Sequence, residues 1–207
     1  MAQSNLKLIQ QGAEAKIFLD EKNNLIVKDR ISKSYRIPEL DKKIIKQRTK
    51  AETKLLTKAN KIVNSPLPEK YKDSNRIIMP YVNGEKLSNS LNDFPLEKQK
   101  QIMKKVGEAV ANIHNENIIH GDLTTSNMIL KDKEVFFIDF GLGYISRKVE
   151  DKAVDLHLLK QALEAKHFMH WKELYKEFQE SYSKINPESN KVYERMVAIE
   201  KRGRYRH

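Results

Sequence analysis

Cysteine is absent from the 207 residues, which excludes disulfides, thiolate zinc sites and cysteine nucleophiles and points to a reducing, cytoplasmic setting. A chain of this length buries enough core to fold without such staples. Long apolar runs are missing too. The N-terminus, Met1-Ala2-Gln3-Ser4-Asn5-Leu6-Lys7, is too polar for a signal peptide, and no later segment approaches the roughly 20 apolar residues needed to cross a bilayer, so no membrane partner is expected. Neither a low-complexity linker nor an internal repeat divides the chain. Acids are in deficit, 28 against 39 lysines and arginines, for a net charge of +11. That imbalance favours a polyanionic partner such as nucleic acid. Thirteen bases against four acids lie between Lys22 and Lys61, a segment that reads equally as a polyanion-facing surface or as a solvated helix face.

Short β-branched and apolar runs at Leu6 to Ile9, Lys16 to Leu19 and Leu25 to Val27, with a turn at Asn23-Asn24, predict an antiparallel meander. From Asp41 to Asn60 there is neither Gly nor Pro, and Ile44, Ile45, Ala51, Leu55, Leu56 and Ala59 recur at helical spacing. Asn64-Ser65-Pro66-Leu67-Pro68 ends that helix, and a strand from Arg76 to Met79 runs into a hinge at 80–84. The rest reads as mostly helical, with helices over Leu96 to His114 (started by Asp93 before Pro95), Asp151 to Ala165, His167 to Tyr182 and Ser189 to Glu200. A buried strand over Val135 to Ile138 delivers Asp139. The expectation is an α+β chain of one domain: a sheet and long helix over 1–82, a mainly helical part over 83–200 and a basic tail over 201–207.

Two motifs carry the chemistry. His120-Gly121-Asp122-Leu123-Thr124-Thr125-Ser126-Asn127 precedes Asp139-Phe140-Gly141 by a short interval, which is the polar half of a phosphoryl-transfer site. Asp122 is the candidate catalytic carboxylate, placed to accept or orient a nucleophile's proton. Asn127 and Asp139 are the candidate Mg2+ ligands, offering hard oxygens. His120 reads as a packing and hydrogen-bonding residue. Asp155 either caps its helix or ties down the catalytic-loop backbone, and the second reading is favoured. Upstream, Lys28 at a strand end matches the lysine that pairs with the α- and β-phosphates, and Glu52 on the long helix is its candidate partner. Gln10-Gln11-Gly12-Ala13-Glu14-Ala15-Lys16 occupies the place of a phosphate-covering loop with a single glycine. Adenine is expected beside Met79, Pro80 and Val82; Pro80 has no amide proton, so the donor is Val82 or a neighbour.

Two expected features are not there. Gly121 replaces the arginine that in many kinases reads a phosphate on the activation segment, so switching by loop phosphorylation is not expected. Only thirteen residues separate Gly141 from Asp155 and no Ala-Pro-Glu occurs among them, which removes the platform that would hold a peptide.

Over essentially its whole length the sequence resembles the small atypical kinase subunit of the KEOPS complex, the assembly that makes threonylcarbamoyladenosine in tRNA. The resemblance rests on Gly12-Ala13-Glu14-Ala15, Lys28-Asp29-Arg30, Lys33, Tyr35-Arg36, Pro38, Asp41, Arg48, Glu52, the two motifs above, Asp151 to Leu156 and the basic tail. It implies a minimal bilobal protein kinase-like fold with a truncated activation segment. It also implies an ATP- and Mg2+-dependent Ser/Thr kinase that autophosphorylates in isolation and acts largely as an ATPase in the complex. Implied partners are the threonylcarbamoyltransferase subunit, expected to bind from outside because no transferase domain is fused here, a small protein on the N-lobe, and tRNA. Lys201, Arg202, Arg204 and Arg206 resemble the family's tail, implicated in tRNA engagement and in reaching toward the nucleotide; on their own they read as phosphate-binding cations. Two alternatives stay open at this point: a non-catalytic nucleotide-binding scaffold that presents tRNA, and an aminoglycoside-type phosphotransferase, for which the basic, short second lobe is a poor match.

Overall fold

Short apolar and β-branched runs build the first layer. The computed structural model describes residues 6–72 and 75–203, and in it β1 (Leu6–Gln11), β2 (Ala15–Asp20), β3 (Leu25–Arg30) and β4 (Arg76–Pro80) form one antiparallel sheet in that order. The β2–β3 turn places Asn24 at φ 54°, a left-handed conformation that asparagine tolerates, while Asp20 accepts the Asn23 amide at 3.1 Å and its side-chain amide at 2.8 Å. The meander predicted from sequence is therefore present, with β3 running three residues beyond Val27. Lys28 sits inside the strand, opposite Ile17 on one side and Ile77 on the other.

Helix α1 (Pro38–Ala59) opens on a proline whose missing amide is no loss there, followed by Glu39 and Asp41 at the electropositive end. Its inward face carries Ile45, Thr49, Leu55, Leu56 and Ala59, and also Glu52, buried among them. The following segment returns to the second lobe, where the Phe137 amide donates to the Asn64 carbonyl at 2.9 Å.

Beyond the hinge come β5 (Glu85–Lys86), α2 (Leu87–Ser90) and α3 (Leu96–Asn115), then β6 (Ile118–Ile119), β7 (Met128–Lys131), β8 (Glu134–Phe137) and β9 (Tyr144–Ile145). Three helices complete the chain: α4 (Val149–Lys166), α5 (Trp171–Ile185) and α6 (Ser189–Gly203). Helices α3 and α5 approach so closely that a side chain at Gly107 would collide with Ser181 and with the Phe178 carbonyl, so only glycine fits. Met103, Val106, Val110, Leu156, Leu159, Phe178 and Tyr182 fill the core between the helices.

The structure corrects several sequence expectations. Asp93 makes no cap for α3; it lies in a 3₁₀ turn, Pro95 takes the cap position, and the Pro95 carbonyl receives the Lys98 and Gln99 amides. Helix α5 starts at Trp171 because 167–170 form a turn closed by the His170 amide on the His167 carbonyl. Helix α6 continues through Lys201 and Arg202, so these two are helical rather than part of a tail. The strand expected before Asp139 is present as β8, and it belongs to a small sheet, β5-β7-β8, which with the pair β6-β9 adds strands to the second lobe that were not expected. Among the described residues no helix is long and apolar enough to cross a membrane.

Candidate active site

The lobes enclose a cleft with two adjoining sections that share Gln10, Ile17, Lys28 and Asp139. The first is apolar, lined by Ile9, Ile26, Met79, Val82, Ile129 and Ile138. The second carries the charged side chains and runs from Gly12, Ala13 and Glu14 past Arg30 and Arg48 to Asp122. An apolar slot opening into a charged one suits a planar heterocycle attached to phosphates.

Strand alternation puts Ile26, Lys28 and Arg30 on one face of β3. Lys28 Nζ lies 2.7 Å from Glu52 Oε1 and 2.6 Å from Asp139 Oδ1, while Arg30 Nη2 lies 2.5 Å from Glu52 Oε2. Burial alone would push the Lys28 ammonium down, but the two carboxylates outweigh it and hold it above its ordinary value. Burial likewise opposes ionisation of Asp139, and Lys28 with the Gly141 amide overcomes it, so this carboxyl is held below its ordinary value. Asp139 itself sits at φ 60°, a sparsely populated backbone conformation of the kind that collects at functional sites.

The loop 120–127 is fixed from beneath. Asp155, wholly buried on α4, accepts the His120 amide at 2.7 Å and the Gly121 amide at 2.9 Å, and lies 3.3 Å from His114 Nε2. Of its two sequence readings, the structure supports the tie to the loop backbone. His120 Nε2 donates to the Ile138 carbonyl at 3.1 Å, which leaves Nδ1 to accept the Asp122 amide at 3.3 Å. Both ring nitrogens are thus engaged by a neutral imidazole packed on Phe140, and burial keeps its pKa below the usual value. His120 is structural, as its sequence context suggested. Asn127 Nδ2 donates to Asp122 Oδ2 at 2.8 Å and to the Asp122 carbonyl at 2.9 Å. With Nδ2 committed, the Oδ1 of Asn127 is the hard oxygen available for a cation, and Asn127 and Asp139 line the same section of the cleft.

At Gly121 φ is 79°, and a side chain would strike the Leu142 carbonyl. The glycine is needed because the chain after Asp139-Phe140-Gly141 crosses directly over it. That chain pairs β9 with β6 and enters α4 only three residues later.

Most of the sequence-predicted residues meet here: Gln10, Gly12, Ala13, Glu14, Ala15, Lys28, Met79, Pro80, Val82, Asp122, Asn127 and Asp139 all line the cleft. Gln11 and Lys16 do not; they pair with each other across β1 and β2 and alternate away from Gln10 and Ile17. Glu52 stands behind Lys28. The Tyr81 amide is spent on the Asn24 carbonyl at 2.9 Å, so it is not the free hinge donor. Arg202 pairs with Glu150 at 3.1 Å, and Arg204 and Arg206 lie outside the described residues.

Several functional contacts were not read from sequence. Arg30 as a second partner of Glu52 was signalled only by its i+2 spacing from Lys28. Arg48, one helical turn before Glu52, reaches Glu14 at 2.9 Å, and the Lys33 ammonium donates to the Ala13 carbonyl, so the one-glycine loop is pinned by side chains. Asp41 gathers the Ser32 hydroxyl at 2.6 Å and the Arg36 guanidinium at 3.1 Å. Four bases of the Lys22–Lys61 segment, Lys28, Arg30, Arg36 and Arg48, are thereby committed to carboxylates inside the molecule. His167, at the end of α4, lies 3.1 Å from the Thr125 hydroxyl and 2.7 Å from Asn92 Oδ1.

A four-stranded lobe with one long helix, a hinge and a helical lobe holding these side chains define a protein kinase-like fold. Residues 13–147 match the family described as RIO domain. The chain is 43% identical to the KEOPS complex subunit Bud32 of Pyrococcus abyssi, over 97% of this chain and 97% of that one. It is 40% identical to the EKC/KEOPS complex subunit bud32 of Dictyostelium discoideum, over 95% of this chain and 82% of that one. A probable bifunctional tRNA threonylcarbamoyladenosine biosynthesis protein of Methanocaldococcus jannaschii is 39% identical over 96% of this chain, which spans 37% of that longer protein. The chain belongs to the RIO-domain family of kinase-like proteins and, within it, to the Bud32 relatives.

Proposed function

We propose that the protein transfers the γ-phosphoryl group of ATP, to a protein hydroxyl including its own when alone and mainly to water as a subunit of a KEOPS assembly. The observation that carries this reading is the convergence of Lys28, Glu52 and Asp139 at one end of the cleft with Asp122 held by Asn127 at the other. Adenine occupies the apolar section with Val82 as amide donor, and the triphosphate extends past Lys28 beneath Gly12 to Ala15. Asp122 orients the attacking hydroxyl or water and takes up its proton. Asn127 and Asp139 offer an amide and a carboxylate oxygen to Mg2+. Among the described residues there is no group of three or more potential ligands of the His, Cys, Asp and Glu kind, so the ion would be held together with the nucleotide's phosphates and water rather than by a protein cage, as is common for Mg2+. When bound, that ion supplies neutralisation of phosphate charge.

The place of action is taken from the relatives, whose names put them in the KEOPS complex or in tRNA threonylcarbamoyladenosine biosynthesis. On this reading the partners are the threonylcarbamoyltransferase subunit, a small protein on the N-lobe, and tRNA met by Lys201, Arg202, Arg204 and Arg206, and the setting is the cytoplasm. The test is phosphate release from Mg-ATP by the purified chain with candidate subunits and tRNA. An Asp139→Ala variant with full turnover would sink the enzymatic reading. If Asp122→Asn leaves tRNA modification intact and loss of the terminal arginines abolishes it, the chain is a scaffold instead.

A further inference from the structure

Glu52 is held by two cations where a kinase-like site needs one. Its side chain is fully buried, Lys28 takes one oxygen at 2.7 Å, Arg30 takes the other at 2.5 Å, and both cations are nearly as buried. Lys28 is also drawn to Asp139 at 2.6 Å. To meet a triphosphate, Lys28 must give up part of this coordination. In a site with one lysine and one glutamate that movement would strip a buried carboxylate of its counter-charge, the situation buried ion pairs tolerate least.

Arg30 removes that difficulty. It lies two residues after Lys28 on the same face of β3, and it engages Glu52 through Nη2 alone. The neighbouring Nε is buried without a hydrogen-bond partner, an exception among buried donors that asks for a reason. Nε and Nη2 together form the side of a guanidinium that grips both oxygens of a carboxylate. Half of that grip is made here. The other half becomes available when Lys28 releases Oε1.

We infer that Arg30 is a positioning residue which holds Glu52, and with it α1, against β3 independently of Lys28, so that Lys28 can turn to phosphate while the helix stays in place. The helix is then assembled before any nucleotide arrives. Gly141 closes the remaining side, since a Cβ there would lie 3.3 Å from Lys28 Nζ and 3.4 Å from Glu52 Oε2. The part played by Lys28 rests on the proposed nucleotide reading; the anchoring of α1 does not.

The experiment is amide hydrogen exchange over residues 48–56 in the nucleotide-free protein, alongside calorimetric titration with Mg-ADP. Lys28→Met should keep wild-type protection of α1. Arg30→Met should lose about tenfold in protection, the scale of a local opening that has lost an ion pair, and weaken Mg-ADP binding in proportion, with Arg30→Lys restoring most of both. Unchanged protection in Arg30→Met, or loss of protection in Lys28→Met, overturns the inference. The second result decides the matter even if Arg30→Met fails to fold. A wild-type protein with the expected exchange pattern but no affinity for Mg-ADP would defeat the nucleotide reading and leave Arg30 as the anchor of α1.

Discussion

The Asp155 carboxylate accepts the backbone amide of His120 at 2.7 Å, thirty-five positions earlier in the chain. A second oxygen holds Gly121, and the same carboxylate faces His114 inside the core. One buried acid therefore sets the backbone from which Asp122 projects. Replacing it with alanine would leave buried amides unsatisfied. Asp155→Ala should cost about 3 kcal/mol of stability, read by chemical denaturation. Asp155→Asn, which keeps one acceptor, should fold and still lose ATP turnover at unchanged nucleotide affinity.

Asp122→Asn removes the proposed proton acceptor but preserves its shape. Turnover should fall about 10²- to 10⁴-fold, the usual range for a general base, while Mg-ADP affinity stays within a few-fold. Phosphate release and calorimetry check the two halves. A loss of affinity matching the loss of turnover would move Asp122 from chemistry to binding.

Gly121→Arg restores the residue that many kinases carry at this point. Here it must fail, because φ is 79° and the Leu142 carbonyl already fills the space a Cβ needs. Destabilisation of about 2 kcal/mol or more is expected from the backbone strain alone, visible as a lowered melting temperature.

His167 gives a pH dependence with a definite sign. Burial lowers its pKa to about 4, so between pH 6.5 and 4 the unfolded chain binds a proton the native ring refuses. Its contribution to stability is therefore complete above 6.5 and is lost as pH falls toward 4, worth up to about 3 kcal/mol. His120, shifted in the same direction, adds to the slope; Asp139, also lowered, loses its contribution only at more acid pH. Melting temperature measured from pH 7.5 to 4.5 should drop, and His167→Gln should flatten the curve.

What could be read from residues alone followed the range of the interaction. Asp122, Asn127 and Asp139 stand at spacings that the chemistry itself dictates, and α1 shows itself through twenty residues without Gly or Pro. Strands of two residues, such as Ile118–Ile119 and Tyr144–Ile145, are too short to display a period of two. Asp93 has a helix-starting composition, yet the turn from Leu91 carries it past the position where it could cap. Arg30 looked like one more base in a basic segment because its partner, Glu52, is brought to it only when α1 packs on the sheet. Burial of a charge is a tertiary fact, and local pattern does not contain it.

Three residues, Ser146 to Lys148, join β9 to α4, and both ends are tied: the Ser146 amide donates to the Asn117 carbonyl at 2.9 Å and the Lys148 amide to the Ser146 hydroxyl at 3.1 Å. A connection so short has few alternative conformations to lose and little slack to release. Control by ordering or freeing this connection, as longer activation segments allow, is therefore closed to this chain.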